Sequence, residues 1–238
     1  MAVFVLTDAT TWIHGYDITT DSNKVTLNPS VDAQDATTFG AGGYKVKKGG
    51  LRNVEFQLEG LWDSTPDSQV FTNLGTADHA VTTSATSTET SVAYLFQAGR
   101  FEYEVFGNVG EMNPFALSMM GTNNVGLVRG QMAKAKGNVS ATGALGSGLN
   151  LGAGGAGKFL YATFHVFTAA TTITVIIQSD DNGGFSSPTT VATIGPITAV
   201  GGTFMTRVDA SAITDNFFRF NVSAITGTFS VAGAIGVQ

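Results

Sequence analysis

Three histidines, His14, His79 and His165, are the side chains in this sequence best suited to moving protons near neutral pH. No two of them have the helical spacing that lets a pair of imidazoles share a metal. No Gly-x-Ser-x-Gly elbow is present to supply a nucleophile. His14 and His165 fall inside strand-like patterns, where a packed or surface imidazole is the simpler expectation. Cysteine is absent, which excludes thiolate chemistry, thiolate metal sites and disulfides. The run from Gly152 to Gly157 and Lys158 has phosphate-loop spacing, but Phe159 follows where Ser or Thr would ligate magnesium. A β-branched, aromatic run then replaces the helix that such a loop needs. Asp180, Asp181 and Asn182 lack EF-hand spacing and read as an acidic turn. Asn138-Val139-Ser140 and Asn221-Val222-Ser223 are formal sequons in strand-like sequence. No catalytic residue, metal or cofactor is expected, and no enzyme.

Two other charged groups are better organised. Glu55 and Glu59 alternate with Val54, Phe56 and Leu58, and Trp62 continues the apolar set. Glu102 and Glu104 alternate in the same way with Phe101, Tyr103 and Val105. Such alternation belongs to strands with one face on a core and one in solvent. Upstream, Val25, Leu27 and Val31 alternate with Lys24, Thr26, Asn28 and Ser30. Between these strands lies a loop with acids at Asp32 and Asp35. It then carries the basic, glycine-flanked segment Gly42-Gly43-Tyr44-Lys45-Val46-Lys47-Lys48-Gly49-Gly50. Such a loop is longer than a hairpin needs, and long loops in compact domains are commonly functional. Tyr44 and Val46 read as apolar anchors; Lys45, Lys47 and Lys48 read as a weak phosphate-contact patch, as a solvated loop, or as partners for acids on a neighbouring copy.

The elements that position these groups are almost all strands. The 238 residues are rich in glycine, poor in proline and carry a net charge of −6. That charge disfavours a surface that grips nucleic-acid phosphates, although it allows one past which DNA slides. The N-terminal residues show no basic segment or long apolar run of a signal peptide, and no stretch approaches a membrane span. A soluble protein made in a cytoplasm is expected. Strands are expected at Phe4–Leu6, Thr11–Ile18, Ser91–Phe96, Arg100–Phe106 and Gly126–Val139. The single helix is expected at Pro66–Leu74, after the capping residues from Asp63. Thr82–Thr90 reads as an exposed polar loop, and Gly143–Gly157 as a flexible linker. Six further strands are expected between Phe159 and Val237, spaced as in a β-sandwich. The implied organisation is a β domain over 1–142, a linker over 143–157 and a β-sandwich domain over 158–238.

The order of features resembles a known family. The pieces are Gly15-Tyr16-Asp17-Ile18, the acidic Asp32 to Phe39, Lys48-Gly-Gly-Leu-Arg52, and Phe56-Gln-Leu-Glu-Gly-Leu-Trp-Asp63 before a helix. Later come Gly107 to Phe115, Gly126-Leu-Val-Arg-Gly130, Phe164-His165-Val166, Phe185-Ser-Ser-Pro188 and Asp215-Asn-Phe-Phe-Arg219. Together they resemble the tail tube (major tail) proteins of long-tailed, non-contractile bacteriophages over most of the chain, through diffuse motifs. The resemblance implies an all-β, tail-tube-like sandwich or barrel with one short helix and a C-terminal β-sandwich region. It implies a structural virion protein of the tail, assembled in the host cytoplasm with itself and with other tail proteins. Its copies would form hexameric rings that stack into a tube, through which DNA passes without specific binding. Glu55, Glu59, Glu102 and Glu104 are then candidates to line the bore, and Tyr44, Lys45, Val46, Lys47 and Lys48 to make the contact between rings. Capsid decoration stays open as another reading, as does a carbohydrate- or receptor-binding β module hinted at by the aromatics of the last third.

Overall fold

The computed structural model describes residues 6–238. Of the strand expected at Phe4–Leu6, Phe4 and Val5 lie outside the described residues and Leu6 is irregular. The chain then forms β1 (Thr10–Ile13), β2 (Tyr16–Asp17), β3 (Ser22–Asp35) and β4 (Lys47–Leu61), followed by α1 (Ser64–Thr72). Next come β5 (His79–Ser84), β6 (Val92–Val105), β7 (Pro114–Gly121), β8 (Val128–Val139) and β9 (Gly143–Asn150). The last part comprises β10 (Phe159–Thr168), β11 (Thr172–Asp180), β12 (Thr189–Ile197), β13 (Gly201–Phe204), β14 (Val208–Asp209), β15 (Phe217–Thr226) and β16 (Phe229–Val237). The fold is all-β with one short helix, as the sequence pattern indicates.

β6 organises the larger sheet. Its first half lies between β5 and β8, and its second half pairs with β7, which leads to β4 and then to β3. Beyond β8 the sheet continues through β16 to β10 and the short β13 and β14, and beyond β5 it continues to β1 and β2. β10 and β13 come round against the β1–β2 turn, where the Gly15 amide donates to His165 and the Gly202 amide donates to His14. The sheet is therefore curled, and Trp12, Leu95, Met132 and Tyr161 fill its concave side. A second sheet, β12-β11-β15-β9, packs Leu149, Ile177, Phe218 and Phe220 against Phe164, Val231 and Ile235 of β10 and β16.

The structure corrects several expectations. The expected linker begins as strand β9, hydrogen-bonded to β15, and only 151–157 is irregular. Its glycines are structural at this point, since a Cβ on Gly146 would strike the backbone of Ala133. The expected boundary after residue 142 is crossed by a continuous sheet, because β16 pairs with β8 along its length. Thr82–Ser84, expected to be exposed, is buried in β5. Its polarity misleads because the hydroxyls satisfy one another, Thr11 with Thr83 at 3.0 Å and Thr82 with Thr163 at 2.6 Å. The two strands expected over 91–106 are one, β6, with an irregular register between Arg100 and Glu102. That bulge turns Arg100 inward, to 1% exposure, and Phe101 outward, to 50%. β7 was not anticipated at all.

The span Thr11–Ile18 is a hairpin and not one strand. His14 and Gly15 adopt φ of 50° and 78° and reverse the chain between β1 and β2. Gly15 has a second constraint, since a Cβ there would meet the Gly201 amide and the Val166 carbonyl. The turn holds the curled sheet edge closed. Gly15→Ala is therefore expected to cost about 2 kcal/mol or more, from left-handed strain plus a forced backbone shift. Urea unfolding of the variant beside Gly126→Ala, a control with positive φ but open space, separates the two contributions; equal losses would show that the close approach is not limiting.

Candidate assembly surfaces

β3 and β4 pair from Ser22 opposite Gly60 to Asp35 opposite Lys47, so most of the expected loop is strand and only 36–46 is irregular. Their inner halves belong to the body. Val54, Phe56 and Leu58 are buried with Phe115, Leu117 and Met119 of β7 and with Val70 of α1. Trp62, expected on the same face, lies past the end of β4 and is 37% exposed. Beyond Leu27, every residue of 28–35 and 47–53 is exposed, so the outer half is a free two-stranded arm. Phe39, Tyr44 and Leu51 stand out from it at 112%, 81% and 80% exposure. Tyr44, read as an apolar anchor, is thus largely in solvent, and Val46 is partly covered at 41% exposure. Lys47 is on β4 and pairs with Asp35 across the arm at 3.0 Å, while no ion pair to Lys45 or Lys48 is formed among the described residues.

The four glutamates share a face. Glu59 and Glu104 flank Ala116 in register on the two sides of β7. Glu102 stands opposite Ser118, whose other neighbour is Gln57, and Glu55 stands opposite Met120. Glu59 is paired with Lys24 of β3, and Glu55 accepts from the Asn53 side-chain amide at 3.1 Å. The reverse of this sheet is the buried face under α1, so among the described residues the carboxylates stand on its open side.

At the root of the arm is a cleft of about 460 Å³ between the β1–β2 hairpin, α1 and the Phe167 and Val200 segments. Asp21, just before β3, and Asp63, just after β4, lie at its rim. Asp63 also caps α1, accepting the Thr65 amide at 2.9 Å. Asp17 pairs with Lys136 at 2.7 Å. Burial, then the nearby Asp63 and Asp17 charges, lift the Asp21 carboxyl above its ordinary pKa. Arg100 closes the floor. Its Nη1 donates to the Gln69 carbonyl at 2.6 Å, and its Nε is buried without a partner among the described residues. Burial pulls its pKa down to about 10. These residues escaped the sequence reading. The available signals were Gly99 before Arg100 as a bulge marker and the bracketing of the arm by two acids.

Behind Arg100 the three histidines come together, although their sequence spacing gave no hint of it. His14 and His79 meet edge to face, centroids 4.6 Å apart. His165 is fully buried; its Nδ1 accepts the Gly15 amide at 3.3 Å and its Nε2 lies 2.9 Å from the Thr82 hydroxyl. That amide fixes His165 as the neutral Nε2–H tautomer. Among the described residues no group of three or more His, Asp or Glu is placed to hold a metal. Lys158 donates to the Ala153 carbonyl at 3.1 Å and precedes strand β10, so the phosphate-loop spacing has no phosphate-loop geometry. Asp180 accepts the Asn182 and Ser187 amides at 2.9 and 3.0 Å, which makes it a turn residue. No described helix is long and apolar enough to cross a membrane.

No protein-family model and no curated protein matches the chain. Solved structures do. A chain of a native gene transfer agent virion aligns with 50% of this chain and 95% of its own, at 12% identity and a TM-score of 0.42. SPP1 Dit, described as a hub adsorption apparatus protein of phages infecting Gram-positive hosts, covers 97% of this chain and 99% of its own, at 10% identity and 0.39. A chain of the phage p2 baseplate covers 97% and 98%, at 11% identity and 0.33. The neighbours are components of tails and baseplates. All three scores are below 0.5, so a functional reading has to come from the surfaces themselves.

The buried imidazoles make stability depend on pH. Burial first, then the Arg100 and His14 charges, lowers His79 to about 4; burial first, then His14, lowers His165 to about 3. Both are neutral in the fold and protonate more readily once unfolded, so stability is fully present above about pH 6.5 and is lost as pH falls from there toward 3–4. At pH 5 each is expected to cost about 2 kcal/mol relative to pH 8. Urea midpoints between pH 8 and pH 5 check this. A flat profile would mean that neither imidazole is held neutral by the fold.

Proposed function

We propose that the chain is a structural subunit of a bacteriophage-type tail, built to assemble with copies of itself into hexameric rings that stack as a tube. The observation that carries this is the arm. A two-stranded ribbon exposed on both faces is marginal in water, and this one also presents apolar side chains at its tip. Among the described residues β3 is hydrogen-bonded only to β4, so the arm's outer edge over 28–35 has no strand partner. Long open edges and exposed apolar groups are templates for another chain. The reading agrees with the family resemblance in the sequence, and assembly in a host cytoplasm into the virion tail belongs to the same proposal. A capsid-decoration or carbohydrate-binding role has no comparable feature in its favour.

In this reading Tyr44, Lys45, Val46, Lys47 and Lys48 make the contact between rings, with the apolar pair dominant. Burying one such anchor contributes about 1.5–3 kcal/mol per copy, whereas an exposed ion pair adds less than about 1 kcal/mol. Tyr44→Ala with Val46→Ala should leave the thermal melt of the monomer unchanged and abolish long assemblies in negative-stain images. Replacing Lys45, Lys47 and Lys48 by Gln should weaken assembly less. Normal tubes from the double alanine variant would remove the arm from stacking.

The glutamate face is proposed to line the bore, with Glu55, Glu59, Glu102 and Glu104 repelling DNA phosphates so that the genome slides. Assemblies of the parent protein should not retain duplex DNA. Replacing all four by Lys should give assemblies that retain it in low salt and release it steeply as salt rises. Equal retention by both would place the face away from the DNA path.

A further inference from the structure

The arm has a tip and a root, and the two are complementary. The tip carries exposed Tyr44 with Lys45 and Lys48, neither lysine in an ion pair among the described residues. The root carries the cleft with Asp21 and Asp63 at its rim, neither of them in an ion pair among the described residues. Between the acids the cleft wall is apolar, from Ile18, Val70 and Phe167. Its floor is Arg100, 1% exposed, with Nε lacking an acceptor. Its volume of about 460 Å³ falls within the range of about 300–1,000 Å³ that encloses small ligands, enough for an aromatic side chain and a lysine head. The other charges facing it, Asp17 and Lys136, already pair with each other.

The arm cannot satisfy its own root. β3 runs 14 residues from Ser22 to Asp35, roughly 45 Å along a strand, and places the tip at the far end from Asp21. A second copy can. Resting on the self-assembly reading above, we propose that the root cleft is the receptor for the arm tip of the next copy. Tyr44 packs against the apolar wall of Ile18, Val70 and Phe167, above the buried Arg100, and Lys45 and Lys48 neutralise Asp21 and Asp63. Tip to root is a head-to-tail contact, using two different patches of each subunit. It therefore repeats from copy to copy without being used up.

The absence of cysteine makes a direct test possible. Lys45→Cys and Thr65→Cys, in one chain, place one thiol on the tip and one at the cleft while keeping the Tyr44 anchor. Mild oxidation should then produce a ladder of disulfide-linked multimers on a non-reducing gel, while either single variant stops at dimers. No ladder above dimers from a double variant that is folded and still assembles would overturn the proposal. A charge exchange gives a second readout. Lys45→Glu with Lys48→Glu should raise the concentration needed for assembly at least tenfold, as should Asp21→Lys with Asp63→Asn, which keeps a capping side chain on α1. All four together should return it to within about threefold of the parent. Assembly of either pair at the parental concentration, or no recovery in the combination, would overturn it. The two failures are separable. If the parent never assembles, self-assembly falls and this inference with it; if the parent assembles and the Tyr44→Ala, Val46→Ala variant does not, but neither the ladder nor the recovery appears, only the receptor assignment falls.

Discussion

A β-ribbon of two strands buries too little to hold itself in order in water, and the outer half of β3–β4 is such a ribbon. The body of the protein is arranged to grip its inner half. β4 pairs on its other side with β7 over seven residue positions, from Glu55 opposite Met120 to Leu61 opposite Pro114. Phe56 and Leu58 are buried beneath it at 0% and 1% exposure. Gly60 has no side chain because the Asp21 carbonyl lies against it and accepts the Leu61 amide at 2.9 Å. Only Trp62 and Asp63 separate β4 from α1, with Asp63 as the helix cap. The same strand is therefore core at one end and open surface at the other. A fixed root with an unpartnered tip is what an intersubunit arm requires.

The junction behind the root is built differently from the rest of the interior. The cores elsewhere are aliphatic and aromatic, whereas here Arg100, His79, His165 and several threonine hydroxyls are buried together. Threonine pairs and the Gly15 amide satisfy part of the set, but both nitrogens of His79 and the Nε of Arg100 lack partners among the described residues. A buried donor without an acceptor costs about 1–3 kcal/mol. Such a cost tends to be retained where the group serves something else. Arg100 ties the α1 carbonyl of Gln69 to β6 and also floors the cleft, so one residue couples helix position to the shape of the proposed receptor.

What was legible in the sequence follows from which interactions are local. Alternation in β4 exposes one face of each of its residues to a single environment, and Val54, Phe56 and Leu58 could be read directly. The helix was legible because its cap is made by the adjacent Asp63. The bulge at Arg100 was not, since a one-residue register change reverses inside and outside for Phe101 and Arg100 without altering composition. β5 was hidden because its burial depends on hydroxyls from β1 and β10 that are distant in sequence. The same holds for the cleft and the histidine cluster, which exist only once the sheet curls and brings β10 and β13 to the β1–β2 turn. Glycines in 143–150 read as flexibility, yet there they permit close packing of β9 on β8. Periodicity put Glu55 and Glu59, and Glu102 and Glu104, on the polar faces of two strands; that β7 joins those faces, and what they meet, periodicity leaves open.

Head-to-tail contact constrains that last point. If the tip of one copy reaches the root of the next, β3 and β4 run along the stacking direction, and the sheet they form with β7 and the second half of β6 lies parallel to it. One side of that sheet is occupied by α1, β1 and β5, through Val70, Ile13 and Val81. The bulk of this half of the subunit is therefore behind the sheet, and the glutamate face is its thin side. Several such sheets arranged around an axis can close edge to edge only with their thin sides facing one way. With the thin sides inward they leave an open channel walled by carboxylates; with the bulk inward, α1 and its neighbours would fill the centre. If such a channel passes DNA, as proposed, the first arrangement is the one required, and the stacking contact and the acidic wall would both follow from a single strand direction.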